Sequence, residues 1–200
     1  FKLGHVSDPL QKQKTQNFYI SIFSSPVVIY NSNNFKIGFT GEDAMPNVEE
    51  YPRFSQVEMA DRHTKVKNFM DEKKIDALLV FGFGRFTTDV YWLTDWPGGR
   101  EAYVLFQKER PPIVILQLYN HVPMARVLSV ISDVRWAGAN TTRTISELLV
   151  ERQLKGSRIG LVGSIPYRHH QQFTDAVGTE SLVDVSGGFR SMRLVRSAEE

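Results

Sequence analysis

The chain has 200 residues, 42% hydrophobic and 23% charged, with a formal net charge of +2 and no cysteine. That balance fits a globular chain with room for a core and excludes disordered, collagen-like and polybasic nucleic-acid-binding classes. Disulfides and thiolate metal sites are excluded, a reducing compartment is compatible, and no apolar run reaches the roughly 18 residues that span a bilayer.

Residues 1–44 differ from the rest. They contain Lys but no Arg, are rich in Asn, Ser, Phe and Ile, and have Ala44 as their single alanine; from Met45 onward Arg outnumbers Lys. Two readings stand: an extension upstream of a true start at Met45, or a genuine N-terminal arm with a strand at 27–30. The stretch 18–30 is broken by Ser24, Ser25 and Pro26 and lacks a small-residue cleavage site, so it does not read as a signal peptide. The expected organisation is an N-terminal extension, 1–53, followed by one domain, 54–200.

The domain opens on strong local signals. Ser55 and Glu58 form an S-x-x-E capping box, and Phe54 with Met59 is spaced for a hydrophobic staple. Met59, Arg62, His63, Val66, Phe69 and Met70 then recur at helical spacing. The run Ile75-Asp76-Ala77-Leu78-Leu79-Val80-Phe81 predicts a strand covered on both faces. Gly82-Phe83-Gly84-Arg85 reads as a turn. It lacks the third glycine and the ribose-binding acid of a dinucleotide fingerprint, and Thr87, Thr88 and Asp89 do not open a helix. Runs at 101–106 and 113–119, separated by a charged turn with two prolines, predict a β-hairpin and therefore a mixed sheet.

Helix and strand patterns alternate in the second half. A helix is expected at 121–129 and a strand at 134–137. Thr144 and Glu147 form a second capping-box pair opening a helix that stops at Gly156. A buried strand follows at 158–163, then a helix capped by Ser164 with Pro166 in its first turn, ending before Gly178. A strand at 181–185 and a helix at 188–196 close the chain. The expected fold is α/β, a mixed sheet of about six strands with helices on both faces.

Chemistry-bearing constellations are few. His169 and His170 are adjacent, about 100° apart on a helix, and cannot share a metal as i, i+4 histidines can. No H-E-x-x-H occurs, and Ser164 is not in G-x-S-x-G, so no catalytic or metal-ligating residue is assigned. The loop 92–100 gathers Trp92, Asp95, Trp96, a Pro-Gly-Gly turn and Arg100. Such a group suits a small zwitterionic or peptide ligand. The competing reading is packing, with the tryptophans in the core and the glycines in a plain turn.

Together these pieces resemble the N-terminal domain of the creatinase, aminopeptidase P and prolidase family of pita-bread metallopeptidases. The resemblance rests on the Arg62 helix leading to Ile75-Asp76-Ala77-Leu78-Leu79-Val80, on Tyr91-Trp92-Leu93-Thr94-Asp95, and on the closing segment Phe189 to Glu200. Asp95 stands where the family's Y-L-T-G turn has Gly, Trp92 is inserted in that motif, and Arg196 replaces the Lys of R-x-x-K-S-x-x-E.

The resemblance implies a domain that shapes substrate and supports a homodimer, inactive alone, next to a C-terminal catalytic domain. In that domain two Asp, one His and two Glu hold two divalent metal ions that activate a bridging hydroxide. It implies a cytoplasmic Xaa-Pro dipeptidase, aminopeptidase or creatine-type amidinohydrolase acting on a small peptide or amidino-type substrate, with no nucleic-acid or membrane partner. Trp92, Asp95, Trp96 and Arg100 are the expected substrate-binding residues. Trp96 and Asp95 would wall the substrate and bind its amino group, and Arg100 would meet a carboxylate. The alternative function is a non-catalytic peptide- or protein-binding module of the same fold.

Overall fold

Helix α1 (Gln56–Lys73) starts where its cap is written. The Ser55 hydroxyl accepts the Glu58 amide at 3.1 Å. The reciprocal half of the box is replaced: Glu58 turns to Arg62, and the Ser55 amide donates to Glu199 instead. The helix ends at Lys74, which adopts φ +53°, while the Ile75 amide reaches back to the Met70 carbonyl at 2.9 Å. The computed structural model describes residues 53–84 and 88–200; the readings made for 1–52, for Arg85 and for Thr87 lie outside them.

Six strands follow: β1 (Ala77–Gly82), β2 (Ala102–Gln107), β3 (Arg110–Leu116), β4 (Asp133–Trp136), β5 (Ile159–Val162) and β6 (Leu182–Asp184). They lie in the order β4-β3-β2-β1-β5-β6. β1, β2 and β3 pair antiparallel, and the remaining neighbours pair parallel. The expected mixed α/β sheet is therefore present. Register follows side-chain alternation. Leu78 faces Phe106 and Val80 faces Val104, while Leu79 opposes Leu105 and Phe81 opposes Tyr103. The first set packs under α1, α2 (Thr88–Thr94), α3 (Val122–Leu128) and α6 (Ser186–Met192). The second packs under α4 (Thr141–Glu151) and α5 (Tyr167–Val177). All six residues of β1 are buried, as a strand between two helical layers requires. Each fully buried aliphatic or aromatic side chain contributes roughly 1.5–3 kcal/mol.

The hairpin carries Pro111 and Pro112 inside β3 rather than in the turn. Neither has an N–H to offer, and the register with β2 slips by one between Leu105 and Gln107. Asp76 ties the starts of β1 and β5 together. Its amide donates to the Arg158 carbonyl, and its carboxylate accepts the Arg158 amide, both at 2.8 Å.

Three local expectations are corrected. Residues 88–94 form α2, although Thr88 and Asp89 were not expected to open a helix; Asp89 lies in its first turn, buried and paired with Arg190 and Arg193. Helix α4 begins at Thr141, capped by Asn140, whose side chain accepts the Arg143 amide; the Thr144 hydroxyl donates to the Ala137 carbonyl, and Glu147 pairs with Arg143. Helix α5 begins at Tyr167 after Pro166, with no side-chain cap from Ser164.

Candidate functional site

Helix α2 and the loop after it hold the sequence-expected residues, and a buried guanidinium organises their surroundings. Arg62 on α1 is fully buried. Its Nε donates to Glu58 Oε1 at 2.6 Å, Nη1 to the Trp92 carbonyl at 3.1 Å, and Nη2 to Glu200 Oε1 at 2.9 Å. Its plane lies 3.7 Å from the Phe54 ring centre and 5.2 Å from that of Trp92. A planar, permanently charged fork suits such a site, since three separate nitrogens reach three acceptors while the flat face lies against aromatic rings, which a lysine's single nitrogen does not offer.

Trp92 belongs to this network. It is buried, and its indole Nε1 donates to the same Glu200 oxygen at 2.8 Å. The neighbouring Glu199 accepts the Ser55 hydroxyl and amide at 2.6 and 2.7 Å, which hold its carboxyl below the usual carboxylate range. Arg193 ion-pairs with the buried Asp89 and stacks on Trp92 at 5.6 Å. The segment after α6 is thus held against α1 and α2. Phe54, Arg62, Tyr91, Trp92, Arg193 and Glu200 line a cavity of about 420 Å³ there.

The loop itself is built inward. Asp95 takes φ +57°, a left-handed conformation that Asp tolerates and Gly prefers, which accounts for an Asp at a position where the resembling motif has Gly. Its Oδ2 pairs with Arg53 Nε at 2.6 Å, and Oδ1 is buried without a hydrogen-bond partner among the described residues. Trp96 is buried, edge-on to His121 at 6.0 Å, and its amide donates to the Thr94 hydroxyl at 3.0 Å. Gly98 crosses the Trp96 indole so closely that a Cβ there would lie 2.6 Å from Nε1. Arg100 is exposed, just before β2. Trp92 and Asp95 therefore spend polar groups on partners within the chain, Trp96 packs into the core, and Arg100 alone among the four presents its side chain to solvent.

Other polar groups resolve into packing. His169 Nδ1 lies 2.6 Å from the Tyr103 hydroxyl, and His170 Nδ1 lies 3.4 Å from the Thr174 hydroxyl. Burial, with the Glu101 charge added, pushes the Tyr103 phenol above its ordinary range. Among the described residues no three His, Cys, Asp or Glu are grouped to hold a metal ion. No described helix is long and apolar enough to cross a membrane. Glu101, buried and with Oε1 unpartnered among the described residues, escaped the sequence reading, because a charge at the first position of an apolar strand run usually faces water.

Residues 62–195 match the family model of the creatinase/prolidase N-terminal domain. No curated protein sequence matches the chain. Among solved structures, a Xaa-Pro dipeptidase from Bacillus anthracis is 17% identical with TM-score 0.59, over 71% of this chain and 38% of that one. A Xaa-Pro aminopeptidase from Streptococcus pyogenes is 22% identical with TM-score 0.57, over 70% of this chain and all of that one. The N-terminal domain of cytoplasmic peptidase PepQ from Mycobacterium tuberculosis H37Rv is 19% identical with TM-score 0.54, over 66% and 98%. At these identities the likeness is one of fold. This chain spans little more than a third of the length of the Bacillus anthracis dipeptidase.

Proposed function

The chain belongs to the creatinase/prolidase N-terminal domain family, and from that membership we propose that it is the substrate-shaping and dimer-forming domain of a cytoplasmic, Xaa-Pro peptidase-type dinuclear metallohydrolase. The family match across 62–195 carries this reading, supported by the fold shared with Xaa-Pro peptidases. The chemistry belongs to a C-terminal domain, whose carboxylates and histidine would hold two divalent metal ions; the described residues group no such ligands. By itself the domain does not hydrolyse peptides.

Within that role the loop after α2 divides its labour. Trp92, Asp95 and Trp96 form the frame, since each is buried and two are tied to Glu200 and Arg53. Arg100, exposed at the loop's end, meets the substrate carboxylate by a charge-assisted hydrogen bond.

The test uses the natural full-length protein, assayed with Xaa-Pro dipeptides and longer Xaa-Pro peptides in the presence of divalent metals. Hydrolysis with proline-specific cleavage supports the enzyme reading. A pure, metal-loaded protein that cleaves none of them but binds them refutes it in favour of a binding module. In an active enzyme, Arg100→Ala should raise KM and leave kcat close to the parent value. Unchanged KM removes Arg100 from the substrate.

A further inference from the structure

The carboxyl ends of β1 and β5 run parallel and side by side, and a cavity of about 310 Å³ opens over them. Its walls include Phe81, Phe83, Glu101, Gly163, Pro166 and Arg190. Openings at the carboxyl ends of parallel strands are where α/β sheets characteristically hold ligands. Gly163 leaves no room for a side chain here, since at φ +100° a Cβ would lie 2.4 Å from the Phe81 carbonyl oxygen.

Glu101 is the unusual wall. The domain buries four carboxylates among its described residues: Glu58, Asp89, Asp95 and Glu101. Glu58 is paired with Arg62, Asp89 with Arg193 and Asp95 with Arg53. Glu101 is nine-tenths buried and, among the described residues, forms no ion pair and has one oxygen, Oε1, closed off without a hydrogen-bond partner. A carboxylate held largely out of water with no donor is unfavourable, and an ammonium bound at its other oxygen, Oε2, which is not closed off in this way, would relieve it. The remaining walls say what carries that ammonium. Phe81, Phe83 and Pro166 offer apolar surface, and Phe83 stays half-exposed although it is a large aromatic. Arg190 adds a guanidinium that also feels the Asp184 charge and whose one ion pair among the described residues is long, 3.5 Å to an Asp89 already paired with Arg193.

We propose that this cavity binds a small zwitterion with an apolar body, its ammonium on Glu101, its hydrocarbon against Phe81 and Phe83, and its carboxylate on Arg190. A free apolar amino acid and a short apolar peptide share that chemistry. The inference stands on residues of this domain and does not depend on peptidase activity elsewhere.

The test is a titration of the 15N-labelled full 200-residue chain with L-leucine, L-leucyl-glycine, L-leucinamide and 4-methylpentanoate, followed by amide shifts. Saturable shifts with L-leucine or the dipeptide at Glu101 and Gly163 are expected, and the tighter of the two identifies the source. Glu101→Gln should weaken that ligand at least tenfold, as should Phe83→Ala, a change at an exposed position that the fold tolerates. Arg190→Gln should weaken L-leucine and leave L-leucinamide unchanged. No saturable shift with either zwitterion overturns the proposal. So does equal binding of 4-methylpentanoate, or an affinity indifferent to Glu101→Gln in a variant whose spectrum remains that of a folded chain.

Discussion

Replacing Arg62 by Met keeps most of the side chain's volume and removes its charge. Three groups then lose a donor: buried Glu58, the Trp92 carbonyl, and Glu200, whose side chain is 16% exposed. Removing one partner of a buried ion pair costs about 3–5 kcal/mol. Because Glu200 reaches solvent and recovers hydration there, the lower end applies, about 3 kcal/mol. For a domain of this size that corresponds to a fall in Tm of roughly 6–12 °C. Urea unfolding followed by far-UV circular dichroism would measure it without relying on the tryptophans that contact the site. Two further variants separate charge from packing. Glu58→Met in the Arg62→Met background should recover part of the loss, since the second change removes the orphaned carboxylate. Glu200→Gln should couple to Arg62→Met by about 1 kcal/mol or more in a double-mutant cycle. An Arg62→Met variant within about 0.5 kcal/mol of the parent would refute the view that this guanidinium holds the network together.

Gly163→Ala forces a side chain into the Phe81 carbonyl at a left-handed position, so a loss of about 2–4 kcal/mol is expected, against near-neutrality for Gly99→Ala, whose Cβ meets nothing within 4 Å. Equal denaturation midpoints for the two would sink the argument. At Asp95, both Ala and Gly variants lose the Arg53 ion pair, but Gly suits φ +57° and Ala does not; the Gly variant should be the more stable by about 1 kcal/mol, and the reverse order would count against strain at this residue. Burial lowers the His63 imidazole below its ordinary value, opposed by its bond to the Leu93 carbonyl and aided by Lys67. The unfolded chain then takes up the proton at higher pH than the folded one. Stability from the neutral ring is fully present above about pH 6.5 and is lost as pH falls through the lower folded value. His63→Gln should flatten the acid slope of unfolding free energy, and slopes that coincide with the parent's would contradict this.

The layered framework was legible in local sequence patterns. Capping at Ser55, the apolar run at 75–81, the hairpin and the alternation of helix and strand beyond it are local patterns, and burial on both faces of β1 follows from that composition. Family resemblance was legible too, because it rests on the order of such segments. The tertiary structure decided the rest. In the helix at 88–94, Asp89 is buried against arginines about a hundred positions further on, a pairing invisible to a window of neighbouring residues. Arg62 reads as the polar member of a helical stripe until Glu200, 138 residues away, is folded against it. The loop residues chosen for their chemistry, Trp92, Asp95 and Trp96, turned out to be buried, since residue type reveals the capacity to bind and not the direction a side chain faces. Glu101 carries the opposite lesson. Its position before a strand advertises nothing, and only the closing of β5, α5 and α6 around it makes a buried carboxylate with one oxygen unpartnered among the described residues. Secondary structure depends on neighbours in sequence, whereas a site depends on which distant surfaces exclude water together.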